Sequence, residues 1–121
     1  MTAVNDIRLL VQRDPAVRRE AEQQAYVANI RPELVIAVYA AVEQWCFEGG
    51  APVGTYDEKL ARLIAGMPYP GRARQMREEL PRLRPDIPAD RVEPLVDRVT
   101  EYVDGAARGD RAYLFGFGSS R

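Results

Sequence analysis

The chain has 121 residues, of which 46% are hydrophobic and 29% are charged, and these proportions are typical of one globular domain rather than a disordered chain. Its formal net charge of -1 provides no overall field that would draw it to nucleic acid or to an anionic membrane, so any electrostatic recognition must be local. The sequence contains no histidine, which excludes Ser-His-Asp and Cys-His catalytic sites and histidine-containing zinc sites.

The amino-terminal part of the chain predicts two helical stretches. A short apolar stripe lies within residues 2–13, and Asp14 followed by Pro15 has the pattern of a helix cap with proline at the first helical position. The inward side of the helix that begins there is expected to be narrow and built mainly from small residues, namely Ala21, Gln24, Ala25 and Ala28. Residues 29–31 are predicted to end this helix.

The segment 31–47 predicts the central helix of the fold, which we expect to span about 32–47. It contains the only tryptophan and the only cysteine, and one apolar side covers an arc of about 140° at 100° per residue. That side comprises Leu34, Val35, Val38, Tyr39, Val42, Trp45 and Cys46. A second, flatter apolar side leaves Glu33, Glu43 and Gln44 as the main polar positions, so we expect the helix to be packed on two sides.

Two shorter helices are predicted after the central one. The glycine pair at 49–50 is expected to end the central helix, because glycine readily adopts the left-handed conformation that follows many helices. Thr55 and Glu58 have capping-box spacing before a helix with the apolar stripe Tyr56, Leu60, Leu63, Ile64 and Met67. A second short helix over 72–80 is expected to be disrupted near Pro81.

The last helix has a regular amphipathic pattern. Asp90 with Glu93 is typical of a helix start, and Gly105 is expected to end the helix. The apolar face comprises Val92, Leu95, Val96, Val99, Tyr102 and Val103. The sequence therefore predicts an all-α protein, a compact bundle of five or six helices around the central helix, with a single domain over 1–111 and an aromatic, glycine-rich tail over 112–121.

No segment carries a recognisable catalytic or ligand motif. Cys46 is predicted near a helix carboxyl end, where partial negative charge disfavours the thiolate, so we interpret it as a buried structural thiol. Residues 49–55 lack the lysine of a phosphate loop and follow a helix rather than a strand, and residues 116–118 lack the third glycine of a dinucleotide site. We therefore expect no catalytic residue, no cofactor and no bound metal.

An acidic row is predicted on the last helix, opposite its apolar face. Its five carboxylates project within an arc of about 80° at 100° per residue. They belong to Asp90, Glu93, Asp97, Glu101 and Asp104. The acidic row is interpreted either as an ordinary solvated face or as a docking surface for a basic partner.

An arginine segment precedes the last helix and comprises Arg72, Arg74, Arg77, Arg82 and Arg84. Such a cluster fits nucleic-acid phosphates, but neither lysine nor an aromatic side chain is interleaved with it, and prolines interrupt it. We favour ordinary surface charge or pairing with the acidic row, either within the molecule or across the interface of a homodimer.

The tail of residues 112–121 concentrates large apolar side chains after the last helix has ended. They are Tyr113, Leu114, Phe115 and Phe117. We expect them either to fold back and cover the bundle or to dock on a partner or second subunit. The tail is the leading candidate for a functional segment.

These features predict a non-catalytic protein-interaction module, such as an adaptor, regulator, inhibitor or chaperone-like protein. The apolar side chains of the tail would anchor the partner, and Glu93, Asp97, Glu101 and Asp104 would orient it. The alternatives are a nucleic-acid accessory protein that uses the arginine segment and a binder of a small apolar ligand. The arginine-rich, lysine-poor composition suggests a bacterial or phage genome, and the absence of a recognisable signal sequence favours a cytoplasmic location.

Overall fold

The computed structural model describes residues 14–48, 56–68 and 71–109 of the chain. In these ranges it contains five helices and no strand, which confirms the predicted all-α class. The helices are α1 (Pro15–Ala28), α2 (Pro32–Glu48), α3 (Glu58–Ala65), α4 (Arg72–Leu83) and α5 (Ala89–Ala107). The apolar stripe predicted within 2–13 and the tail over 112–121 lie outside the described residues.

Helix α2 organises the core of the described part of the chain. It packs against α1, α3 and α5, and every residue from Leu34 to Cys46 is buried. Glu43 and Gln44, which were expected to be main polar positions of a helix packed on two sides, are buried too, so the packing is more extensive than predicted. The reason is that three neighbouring helices together surround this stretch. Gln44 Nε2 donates to a carboxylate oxygen of Glu48, the exposed last residue of the helix, at 2.8 Å.

Helix α1 begins and ends where the sequence predicts. The Asp14 side chain accepts a hydrogen bond from the backbone N–H of Ala16 at 3.0 Å, and Asn29 ends the helix in the left-handed conformation at φ 60°. Ala21 and Ala25 are fully buried, and their small side chains permit the close approach of α1 to α2. Ala28 was predicted to face inward, but it is exposed because it lies in the last turn, beyond that contact.

Helix α3 begins later than its predicted capping box. The cap is Asp57, whose carboxylate accepts from the backbone N–H of Leu60 at 3.0 Å, while Thr55 and the glycine pair at 49–50 lie outside the described residues. Helix α4 continues through Pro81 to Leu83, so the predicted disruption is wrong. Pro81 has no backbone N–H to donate to the preceding turn, but the buried side chain of Leu80 packs this part of the helix against the core.

Helix α5 extends past the glycine that was predicted to end it. Gly105 is buried inside the helix, which runs on to Ala107, and Gly109 is the glycine that adopts a positive φ of 84°. Asp90 lies in the first turn but is not the cap, since the residue before the helix is Pro88 and no side chain caps it. The predicted apolar face is buried along its whole length.

Two contacts hold α5 antiparallel to α2. Arg31, just before α2, donates to the carbonyl oxygens of Ala106 and Ala107 at 3.3 and 3.4 Å. Near the other end of α2, Trp45 Nε1 donates to the carbonyl of Arg91 at 3.0 Å, and Arg91 donates back to the carbonyl of Trp45 at 3.0 Å. The Arg91 guanidinium also lies 4.5 Å from the centre of the indole ring. The contacts of Arg31 and those between Trp45 and Arg91 together determine which face of α5 points outward.

Candidate functional site

A groove lies between the start of α4 and the second half of α5, and we name it the α4–α5 groove. Its volume is about 450 Å³, within the range of small-molecule and side-chain sites. The lining residues are Gly71, Arg72, Ala73, Val99, Thr100, Val103 and Asp104. The small residues at positions 71 and 73 leave room opposite Val99 and Val103, so the floor of the groove is apolar.

Arg72 lies beneath the groove rather than on the surface. Its side chain is buried, and one guanidinium nitrogen donates to the carbonyl oxygen of Met67 at 3.2 Å. A charged side chain in such a place fixes local geometry, because moving it would break a hydrogen bond made away from water. Arg72 was predicted as a contact for nucleic acid, but this position keeps its charge away from a polyanion at the surface.

All five members of the acidic row are exposed on α5, as the helical periodicity predicts. Two of them are engaged by arginines: Glu93 accepts from Arg77 at 2.7 Å, and Glu101 accepts from Arg98 at 3.0 Å. The hydrogen bond from Arg77 lowers the pKa of Glu93. Within the described residues Asp90, Asp97 and Asp104 form no ion pair. These three carboxylates are therefore open to an external cation.

The acidic row and the groove meet at Asp104. This residue belongs to the row and also lines the α4–α5 groove, next to Thr100 and the buried Val103. At about 100° per residue, Glu93 and Asp104 lie on the edge of the row that faces α4, and Arg77 of α4 contacts that edge. The result is one continuous surface with an apolar floor and an acidic rim.

The remaining arginines of the arginine segment are paired with carboxylates of the same chain. Arg74 pairs with Glu78 at 3.4 Å, and Arg82 pairs with Glu79. Arg84 is half-buried between two carboxylates, at 2.9 Å from Asp57 and 2.8 Å from Asp86. A nucleic acid that bound these arginines through its phosphates would have to replace these ion pairs within the chain.

Among the described residues, one ion pair joins the arginine segment to the acidic row: Arg77 donates two hydrogen bonds to Glu93 within the molecule. The five arginines therefore do not form one free basic surface. Exposed pairs such as this one are screened by water and can rearrange, whereas Arg72 and Arg84 are held in place by partly or fully buried contacts.

The only thiol of the chain is sealed in the core. Cys46 is 1% exposed, and burial raises its pKa, with the negative charges of Asp57 and Glu43 adding to the increase. The thiolate needed for a nucleophile or a metal ligand is thus disfavoured. In the described ranges, no group of three Cys, Asp or Glu residues is arranged to hold a metal ion. Nor does any helix there have the length and apolar character needed to cross a bilayer.

The buried phenol of Tyr39 predicts a fall in stability at high pH. Burial raises its pKa from 10.0 to about 12, and its hydroxyl donates to Gln24 Oε1 at 2.9 Å. Between these two pH values the unfolded chain releases a proton that the folded protein retains, so stability decreases as pH rises. Urea unfolding at a series of pH values should show this slope, and Tyr39→Phe should reduce it. An identical slope in the variant would contradict the assignment.

Sequence reasoning missed two features of the surface. The α4–α5 groove lies between two helices, so no periodicity within either one indicates it. The second feature is an apolar pair on α1, Tyr26 and Val27, which are 87% and 84% exposed. Both residues lie outside the narrow inward stripe that contains Ala21 and Ala25. Their position off this stripe could have indicated from the sequence that they are exposed. The predicted anchors Tyr113, Leu114, Phe115 and Phe117 lie outside the described residues.

Comparison with known proteins identifies no relative. No family model matches the chain, and no similar protein is found among the curated proteins or the solved structures.

Proposed function

We propose that this protein is a non-catalytic interaction module, a small cytoplasmic adaptor, regulator, inhibitor or chaperone-like protein. It binds a partner segment that combines large apolar side chains with basic ones. The observation that carries the proposal is the position of Asp104, which joins the apolar α4–α5 groove to the acidic row. An apolar groove alone suits many ligands, whereas an acidic rim selects a basic segment and rejects an acidic one.

The contacts on offer support a weak and reversible interaction. One aromatic anchor in the groove contributes about 1.5 to 3 kcal/mol of transfer free energy. Asp97 and Asp104 are exposed, and each rim ion pair adds about 0.2 to 1 kcal/mol. The sum of about 2 to 5 kcal/mol corresponds to dissociation constants from about 0.2 mM to tens of millimolar, and these should rise with salt because the charges are exposed.

The proposal is tested with fluorescein-labelled peptides of twelve residues that combine phenylalanine and arginine. Fluorescence anisotropy should show saturable, salt-sensitive binding to the full chain, which is lost when the phenylalanines become serine or the arginines become glutamate. Asp104→Asn should weaken binding about two- to fivefold, and Ala73→Leu, which fills the groove, should weaken it as well. Glu22→Gln, which removes an exposed charge of α1 outside the groove lining, is the matched control.

Other results would reject the proposal in favour of its alternatives. Binding of the serine-substituted peptide with unchanged affinity would show that the groove takes no part. A salt-sensitive shift with generic DNA or RNA, lost in Arg74→Gln with Arg82→Gln, would identify a nucleic-acid accessory protein. Copurification of a lipid or chromophore that Ala73→Leu abolishes would instead identify a binder of a small apolar ligand.

A further inference from the structure

Helix α1 carries the most exposed large apolar side chains of the described part of the chain. Tyr26 and Val27 are 87% and 84% exposed, whereas Phe47 and Leu83 are 36% and 43% exposed. Adjacent apolar side chains in water favour an interface that covers them, because removing apolar surface from water lowers the free energy. The two residues therefore mark α1 as a candidate interaction surface.

The side of α1 that faces away from the core has the residue spacing of a helix that packs on another helix. The inward side is set by Ala21 and Ala25, which are fully buried where α1 packs against α2. At about 100° per residue, the opposite side, which we call the outer face, comprises Ala16, Arg19, Gln23 and Tyr26. All four are exposed, and their separations of three, four and three residues are those of the contact positions of a coiled coil.

The outer face is self-complementary when two copies of α1 run antiparallel. Its four positions are symmetric about residue 21, so position 16 of one copy lies opposite position 26 of the other. In this arrangement the Tyr26 ring covers the exposed Pro15 of the second copy, and Val27 covers its exposed Ala16. Each end of the helix pair therefore brings large apolar side chains of one copy onto small ones of the other.

The charges of α1 are complementary in the same arrangement. Arg19 is exposed and forms no ion pair among the described residues, and Glu22 is exposed on the same side of the helix. Since position 19 lies opposite position 23 of the second copy, Arg19 is only about 1.5 Å along the axis from Glu22 of that copy. Glu22 also lies 3.6 Å from Arg18 of its own helix, and its second carboxylate oxygen can accept from the other copy.

We infer that the outer face of α1 is the interface of a homodimer, in which two copies of α1 pack antiparallel about a two-fold axis beside residue 21. A two-fold interface uses the same patch on both copies, so the patch has to match itself in size and in charge. The symmetric order of small, charged and large residues along α1 meets this requirement, whereas an unrelated partner would need no such symmetry. The inference is independent of the proposed function, because none of these residues lines the α4–α5 groove.

The length of α1 makes this a weak dimer. Helix α1 has 14 residues and is about 21 Å long, so one helix pair buries less than the roughly 1,200 to 2,000 Å² of a standard stable interface. We expect a dissociation constant on the order of 100 µM, with monomer in the low micromolar range and dimer near millimolar concentration. The dissociation constant should rise with salt, because the ion pairs are at the surface.

Sedimentation equilibrium of the full chain from about 5 µM to about 1 mM tests the dimer. The average mass should rise from 13.6 kDa toward twice that value. The variant with Tyr26→Ser and Val27→Ser should stay monomeric, whereas the control Leu83→Ser, which removes an exposed apolar side chain of α4, should associate as the parent does. A constant mass of the parent chain would overturn the inference, and so would a dimer that survives the two serine substitutions.

A charge exchange tests the antiparallel arrangement and keeps the experiment decisive if the serine variant fails to fold. Arg19→Glu and Glu22→Arg each place like charges opposite one another, so each variant alone should dimerise about tenfold more weakly than the parent. An equal mixture of the two restores both opposite-charge contacts and should form heterodimers as readily as the parent forms homodimers. A mixture that associates no better than either variant alone would contradict the arrangement, as would single variants that dimerise like the parent.

Discussion

Trp45→Ala is expected to destabilise the fold by about 3 to 5 kcal/mol, because it empties a large site at the contact between α2 and α5. The indole is 7% exposed, and its Nε1 donates to the carbonyl of Arg91. Its removal leaves that carbonyl without its donor and takes away the ring beneath the Arg91 guanidinium. Urea unfolding followed by circular dichroism measures the loss without relying on the only tryptophan.

Two further variants divide the Trp45 effect into its parts. Trp45→Phe keeps a ring above which the guanidinium can lie but lacks the indole donor, so a loss of about 1 to 2 kcal/mol is expected. A double-mutant cycle with Arg91→Ala should give a coupling of about 0.5 to 2 kcal/mol. A Trp45→Ala variant within about 1 kcal/mol of the parent protein would be inconsistent with this contact joining the two helices.

Leu95→Ala is the second substitution with a large expected effect, about 2 to 5 kcal/mol. Leu95 is fully buried on the apolar face of α5, the helix that packs against both α2 and α4. Deleting its methyl groups removes apolar burial and leaves a cavity. Helices α2 and α5 cannot easily close this cavity, because hydrogen bonds from Arg31 and Arg91 join them near both ends.

Leu83→Ala is the matched control for the Leu95 prediction. The change in side chain is the same and the residue is also helical, but Leu83 is 43% exposed at the end of α4. Its loss should remain below about 1.5 kcal/mol, because water can enter the space that the side chain leaves. Similar unfolding midpoints for the two variants would contradict the position of Leu95 in the core.

The sequence predicts each helix better than it predicts how the helices surround one another. The apolar face of α5 and the Asp14-Pro15 start of α1 follow from local periodicity and capping, and both are observed. The burial of Glu43 and Gln44 could not be inferred, because periodicity shows which side of a helix is apolar but not how many neighbours cover it. Similarly, Gly105 has helical neighbours on both sides, and packing outweighs its weak helix propensity.

The candidate site likewise has one part that the sequence predicts and one part that it does not. The acidic row was predictable because all its members lie on one helix and repeat every three or four residues. The groove depends on the fit between α4 and α5, and Arg72 is buried there by tertiary contacts that its local sequence does not specify. Pairing of the arginine segment with the acidic row was expected as one alternative, but the specific pair of Arg77 and Glu93 was not, since charge alone does not select a partner.

The contact between Trp45 and Arg91 also gives the molecule a built-in optical reporter. The chain's single indole is buried between α2 and α5, with its nitrogen bonded and a cation against its π face. The emission maximum and quantum yield of a tryptophan depend on hydration and on nearby charge. Intrinsic fluorescence therefore reports the separation of these two helices, and a spectrum recorded as the groove fills would reveal whether its occupant displaces α5 or leaves the core unaltered.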